Sequence, residues 1–312
     1  MPEHTVEKIK GVGQFDSSAG NRLPRKFKQL IAMIDEALER NLPHGEVYAE
    51  PVVEAIRYSL LAPGKRIRPV LTMLSAEIAG AGPGAVIEAA AAVEMIHTAS
   101  LILDDLPCMD DSRLRRGRET LHRHTDEATA VLAADALLMH AFCLIGNSIA
   151  ASRLSVREAG RLVQDAANCV GVPGMIGGQW KDLNPGKSDF ESLEYVHSHK
   201  TGRLFILSVT LGARLSGANN QVVECLESYA KNLGLAFQIT DDILNCESKP
   251  SVLGKDAGTD INKVTFVTTF GLDAARKVAS ELVQTAKSSL ELFGAKAQYL
   301  YQLADHVLSR KK

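Results

Sequence analysis

The chain has 312 residues and a formal net charge of −2, from 35 Lys and Arg against 37 Asp and Glu. With 46% hydrophobic and 23% charged residues, the composition excludes wholesale disorder. The near-neutral balance argues against a nucleic-acid or anionic-membrane coat as the main role. The 38 alanines against 16 aromatics favour helices over pleated sheets. Five cysteines, Cys108, Cys143, Cys169, Cys225 and Cys246, are scattered and form no C-x-x-C pair. That is not a disulfide framework and predicts a reducing compartment. The opening MPEHTVEKIK carries Glu3 and Glu7 and no apolar run, unlike a secretory signal or an acid-poor transit peptide. A cytoplasmic location is expected.

Residues 1–24 are polar and read as a tail. After Pro24, the spacing of Phe27, Leu30, Ile31, Ile34 and Leu38 predicts an amphipathic helix stopping before Pro43. Val52, Ile56 and Leu60 mark the next, ended by Ala62-Pro63-Gly64. Further helical runs are predicted over roughly 66–80, 85–106, 126–151, 155–171, 188–216, 219–246, 271–293 and 296–310, broken by Gly and Pro. No convincing alternating strand, linker or repeat is present. The fold class is therefore all-α, one domain over 25–312 with about ten or more helices. The stretch 128–151 is apolar enough to raise a membrane span, but Asp135, His140 and Asn147 recur through it. A buried core helix is expected there, and no span.

Two acidic groups stand out. Asp104, Asp105, Asp110 and Asp111 fall within eight residues, the first two at the end of an apolar helix. Acids are disfavoured at that end of the macrodipole, and Pro107 turns the chain so that Asp110 and Asp111 return to the same mouth. Carboxylates crowded there need a cation, and oxygen-only ligation points to Mg²⁺. The second group, Asp241 and Asp242, lies in Phe237-Gln238-Ile239-Thr240-Asp241-Asp242-Ile243-Leu244-Asn245, with Asp241 and Asn245 on one helical face. Together the groups predict two helices holding metal across a cavity.

Two basic groups complement them. Gly64-Lys65-Arg66-Ile67-Arg68-Pro69 opens a helix, a setting suited to a diphosphate. Arg115-Arg116-Gly117-Arg118 follows the first acidic group. Smaller signals are His199-Lys200-Thr201-Gly202 and the Gly254-to-Lys263 loop with Lys255. The pairs His122/His124 and His197/His199 are two residues apart, point to different sides of a helix and do not read as zinc sites.

In order along residues 50–270, Gly-Lys-Arg-x-Arg-Pro, Asp-Asp-x4-Asp with Arg-Arg-Gly after it, Gly177-Gly178-Gln179, Lys200-Thr201-Gly202 and Phe-Gln-x-x-Asp-Asp resemble the trans-isoprenyl diphosphate synthases. Glu94-Met95-Ile96-His97-Thr98-Ala99-Ser100-Leu101-Ile102-Leu103-Asp104-Asp105 is most similar to the bacterial geranylgeranyl-forming members. The resemblance implies helices around a deep central cavity, and a homodimer. It implies that Lys65, Arg68, His97 and Arg116 hold isopentenyl diphosphate. Arg115, Lys200, Thr201, Gln238, Lys255 and Lys263 would hold the allylic diphosphate. Asp104, Asp110 and Asp241 would ligate two or three Mg²⁺ ions, supported by Asp105, Asp111 and Asp242. Asn245 departs from the family's usual Asp, and Glu119 and Thr125-Asp126-Glu127 replace other family residues.

Product length is the remaining sequence question. Members making short products place bulky aromatics four or five residues before the first Asp, where this chain has Ser100 and Ala99. Ala99 lies roughly 7.5 Å below Asp104 along the helix, with Met95 a turn deeper as a possible floor. A C20 product is expected. The alternatives are a C15 product, or a weakly active subunit of a heteromeric synthase. A terpene cyclase fits less well, since it needs one diphosphate site and an aromatic cavity.

Overall fold

The computed structural model describes residues 24–184, 189–247 and 265–310. The predicted tail at 1–24 therefore lies almost wholly outside the described residues. Helix α1 (Arg25–Arg40) buries Phe27, Leu30, Ile34 and Leu38 along one stripe, as the spacing requires. It is followed by α2 (Glu50–Leu60), α3 (Ile67–Ile78) and α4 (Ile87–Asp104). A short hairpin pairs β1 (Leu114–Arg115) with β2 (Arg118–Glu119). Then come α5 (Leu121–His124), α6 (Glu127–Ala150), α7 (Val156–Val170) and α8 (Met175–Leu183). The chain continues through α9 (Phe190–Val196), a π turn (His197–Gly202), α10 (Arg203–Leu215) and α11 (Asn220–Glu247). Helices α12 (Phe266–Phe270), α13 (Leu272–Ser288) and α14 (Gln298–Ser309) close the described chain.

Helix α4 is the centre. It is apolar on nearly every side, and a helix of that kind must be covered on every side. It packs chiefly against α6, and also against α3, α1, α10 and α2. Ala89, Ala90, Ala91 and Ala92 are fully buried, and their small side chains let neighbouring helices approach closely. Helix α10 lies between α3 and α11, and α11 packs against α13 and α14. Each large apolar side chain withdrawn from water, such as Ile34 or Leu38, contributes about 1.5–3 kcal/mol. Helix ends are satisfied locally. Ser155 and Glu158 form a reciprocal cap on α7, and Asp126 accepts the Thr129 N–H at 2.9 Å to start α6.

The all-α expectation of ten or more helices holds. Four details differ. The run expected over 188–216 is divided by the π turn. Helices α5, α8 and α12 lie outside the predicted helical runs. The hairpin at 114–119 forms where no strand was expected. The helix expected to reach 293 stops at Ser288. Two described stretches, Pro83–Asp104 and Glu127–Ala150, are long and apolar enough to cross a membrane by length and composition alone. The first has 67% of its apolar stretch buried. The second, expected to be a buried core helix, has only 39% buried. Leu132 and Met139 are more than half exposed on it, so α6 is covered on its α4 side and bare on the other.

Candidate active site

The C-terminal end of α4 carries the first acidic group. Asp104 is the last helical residue and Asp105 caps the helix. The chain then folds back, as Pro107 demanded. The Asp110 N–H donates to the Asp104 carbonyl at 2.9 Å, the Asp111 N–H to Leu106 at 3.0 Å and the Ser112 N–H to Asp105 at 3.2 Å. These bonds satisfy helix-end carbonyls and return Asp110 to the mouth of α4. Asp111 adopts a left-handed φ of 45° and is exposed. Asp105 is buried and gripped by Arg115, whose Nε donates to Oδ1 at 3.0 Å and whose Nη2 reaches the same oxygen. Burial, reinforced by Asp110 and Asp105, pushes the Asp104 carboxyl up to about 6 against the pull of Lys200.

Lys200 enters from the π turn, a wider coil that often marks functional positions. Its Nζ lies 2.7 Å from Asp182 Oδ2 and 3.6 Å from Asp104 Oδ2. Burial alone would lower the Lys200 ammonium, but Asp104 and Asp182 outweigh it and hold it up. Gly178 on α8 permits this arrangement, because a Cβ there would sit 2.2 Å from the Lys200 backbone nitrogen. The next residue, Thr201, donates its hydroxyl to Gln238 Oε1 at 3.1 Å. The π turn thus joins the Lys-Thr pair to the Phe-Gln motif on α11.

On α11, Asp241 and Asp242 take different work. Asp241 Oδ1 accepts Arg310 Nη2 at 2.9 Å. The Arg310 guanidinium is 3.8 Å from the centre of the Phe237 ring and donates to the Phe237 carbonyl at 2.6 Å. Asp242, expected to support a metal, is committed to protein contacts. It accepts the Phe266 N–H at 3.0 Å, faces His197 Nε2 at 3.8 Å and receives Gln238 Nε2 at 3.5 Å. It anchors α12 to α11. Asn245 lies one turn beyond Asp241 on α11, half-buried.

The first basic group meets α4 at His97, seven residues before Asp104. Arg68 Nη1 donates to His97 Nε2 at 3.2 Å, and its guanidinium lies 4.9 Å from the Phe205 ring. A guanidinium has only N–H to give, so His97 Nε2 is the accepting, unprotonated nitrogen. Burial, with Arg68, Arg116 and Arg115 around it, pushes His97 well below its ordinary value. Burial lowers Arg68 to about 10, which still leaves it charged. Arg116 reaches the Ala62 carbonyl at 3.5 Å, and Lys65 is exposed at the loop beside it. Lys65 also lies near enough to lower His306 on α14, after burial. His97 precedes Asp104 by seven residues on α4, two turns or about 10 Å along one face. Arg68 at His97 and Lys200 at Asp104 thus meet α4 two turns apart.

Three expected tunnel residues stay within α4. Met95 is fully buried, Ala99 is 3% exposed, and the half-buried Ser100 donates its hydroxyl to the His97 carbonyl at 2.8 Å. Lys255 and Lys263 lie outside the described residues. Three residues with a role here had little sequence signal. Asp182 follows Gly-Gly-Gln by three residues, and its charge made sense only once Lys200 stood beside it. Arg310 belongs to no motif and only ends the last predicted helical run. Glu94 only opens the stretch that carries the family resemblance, yet it is 1% exposed and pairs with Arg66 at 2.7 Å.

Among the described residues, no three His, Cys, Asp or Glu side chains converge as ligands of one metal ion. Each motif carboxylate with a described ion pair instead faces a base: Asp105 faces Arg115, Asp104 faces Lys200, and Asp241 faces Arg310. Oxygen donors alone, with Asp104 pushed up beside Asp110, fit a hard divalent cation arriving with an oxygen-rich ligand of its own.

Comparison with known proteins agrees with this geometry. A family model described as polyprenyl synthetase matches residues 49–302. The chain is 43% identical over 295 residues to a chloroplastic geranylgeranyl pyrophosphate synthase of Capsicum annuum, covering 92% of this chain and 79% of that one. Among solved structures it is similar to an FPP/GFPP synthase of Zymomonas mobilis, at TM-score 0.81 and 34% identity, covering 90% of this chain and 97% of that one. It is also similar to a geranyltransferase of Helicobacter pylori complexed with magnesium and isoprenyl diphosphate, at TM-score 0.78 and 29% identity, covering 92% and 98%. Matched along most of its length in sequence and in fold, the chain belongs to the polyprenyl synthetase family.

Proposed function

We propose that this family member condenses isopentenyl diphosphate with an allylic diphosphate and stops at geranylgeranyl diphosphate. The observation that carries the reading is two separately held basic groups: Arg68 bonded to His97 at 3.2 Å, and Lys200 facing Asp104 at 3.6 Å, seven residues further along α4. One diphosphate needs one such group; two substrates, joined carbon to carbon, need two. Arg68, His97 and Arg116, with Lys65 at the rim, hold the isopentenyl diphosphate. Arg115, Lys200, Thr201 and Gln238 hold the allylic one, close to the acidic mouth.

Asp104, Asp110 and Asp241 would hold Mg²⁺, which when bound neutralises charge growing on the departing diphosphate. As the allylic C–O bond breaks, its electron pair leaves with the diphosphate. Lys200 and Arg115 face that oxygen-rich group and stabilise it. The isopentenyl double bond attacks the allylic cation, forming one C–C bond, and a proton is lost to the released diphosphate. Arg68 and His97 hold the attacking molecule still, so that its double bond meets the cation before water does. Ala99 and Ser100 leave room for a long tail, and relatives named for C20 products agree with that size. The bare apolar face of α6 supports a homodimer. The free cysteines fit a reducing compartment such as the cytoplasm.

Steady-state kinetics with each substrate varied in turn tests the two-site assignment. Losing a charge-assisted contact costs about 1.5–3 kcal/mol, or roughly 10- to 150-fold. Arg68→Ala is expected to raise KM for isopentenyl diphosphate by that factor and leave the allylic KM within twofold. Arg115→Ala is expected to do the reverse. Equal rises in both constants contradict the assignment.

A further inference from the structure

Arg66 lies between Lys65 and Arg68, but its side chain serves the fold beneath the site. It is 4% exposed and sits at a left-handed φ of 49°, a conformation a bulky residue adopts only when its surroundings hold it there. Its Nε donates to Asp35 Oδ1 at 2.9 Å and its Nη1 to Glu94 Oε1 at 2.7 Å. Its Nη2 donates to the Leu60 and Ala62 carbonyls, both at 3.1 Å. One guanidinium therefore ties together α1, the end of α2 and the middle of α4. The Ala62 carbonyl is also the acceptor for Arg116. Gly64 presses on the same guanidinium, since a Cβ there would lie 2.8 Å from Arg116 Nη1. The loop that Arg66 fixes is thus the wall against which Arg116 rests.

Glu94 supplies the opposite charge. It is 1% exposed and precedes His97 by one turn on α4. It is the foremost anion opposing the burial of Arg66, Arg68 and Arg116 alike. Three guanidiniums gathered in a largely buried place repel one another and lose water. A carboxylate enclosed with them offsets both penalties, provided that its hydrogen bonds are met.

We propose that Glu94 and Arg66 form a buried positioning pair for the isopentenyl diphosphate site. Arg66 fixes the loop carrying Lys65, and Glu94 supplies the charge that lets Arg68, His97 and Arg116 stand assembled before the ligand arrives. Neither residue contacts the ligand. The inference rests on the two-site reading above and adds two residues to it.

The test is KM for each substrate and kcat in Glu94→Gln, Arg66→Lys and Gly64→Ala, with Arg68→Ala as reference and thermal midpoints measured alongside. Glutamine keeps the shape of Glu94 without its charge, and lysine cannot make the forked contacts of Arg66. Gly64→Ala leaves the pair intact and displaces only the Arg116 guanidinium. It stays informative if either other variant fails to fold. All three are expected to raise KM for isopentenyl diphosphate tenfold or more. The allylic KM should stay within twofold and kcat within threefold. If Arg68→Ala is selective in this way but the three variants change both KM values equally or neither, the positioning pair is overturned. If Arg68→Ala is itself unselective, the two-site reading fails and the inference falls with it.

Discussion

Asp104 holds its place against two penalties, burial and the negative end of α4, and its carboxyl is pushed up to about 6. Lys200 answers part of that cost, and a divalent cation would answer the rest. His197 shows the opposite response to burial. It is 6% exposed, and burial lowers it to about 4 from an ordinary 6.5. Between those values only the unfolded chain takes the proton. The stability His197 contributes is complete above pH 6.5 and is lost as pH falls toward 4, at about 1.4 kcal/mol per pH unit. His197→Gln is expected to remove that slope. Urea unfolding from pH 7.5 to 4.5 should show the stability gap between wild type and variant closing with acid. A gap that stays constant with pH contradicts the assignment. Much of the site was legible at this scale, because acids at the end of an apolar helix and bases after a Pro-Gly turn are anomalies wherever they occur. Glu94, Asp182 and Arg310 were not, because each is explained by a partner far along the chain. Nor were the protein contacts of Asp242, because adjacency to Asp241 says nothing about which way a side chain is used.

Helix boundaries followed Gly and Pro punctuation well, and the errors share one cause. Pro173-Gly174 reads as a break, yet α8 begins at Met175 and Gly178 lets it lie directly against the π turn, where tertiary contact overrides local propensity. The single helix expected over 188–216 splits for the same reason, since the π turn sets Lys200 toward Asp104 and Thr201 toward Gln238. Gly178→Ala puts a methyl 2.2 Å from the Lys200 backbone nitrogen. Overpacking of this kind costs about 1–3 kcal/mol. The variant is expected to lose at least tenfold in kcat under conditions where circular dichroism shows it fully folded. Activity that tracks the folded fraction alone would show that the close approach serves stability and not the placement of Lys200.

For the whole molecule, α6 carries the clearest unfinished surface. Ala128, Leu132, Asp135, Met139, Cys143 and Gly146 recur at three- and four-residue spacing on its bare side, and Leu132 and Met139 are 56% and 59% exposed. The sequence showed that this helix was apolar. It could not show that one chain covers only half of it, since burial by a second copy leaves the same pattern as burial in a core. Sedimentation equilibrium at micromolar concentration is expected to give twice the chain mass, and Leu132→Glu the monomer mass. A wild-type chain that sediments as a monomer contradicts the dimer. Elongation is the claim on which these readings converge, and sizing the products tests it most directly. Purified protein would be incubated with Mg²⁺, labelled isopentenyl diphosphate and, separately, C5, C10 and C15 allylic primers. Each primer is expected to end at C20, and Ala99→Phe, which places a ring below Asp104, at C15. Incorporation that stops at C15 in the unaltered chain would contradict the C20 product. No incorporation from any primer would contradict the synthase itself.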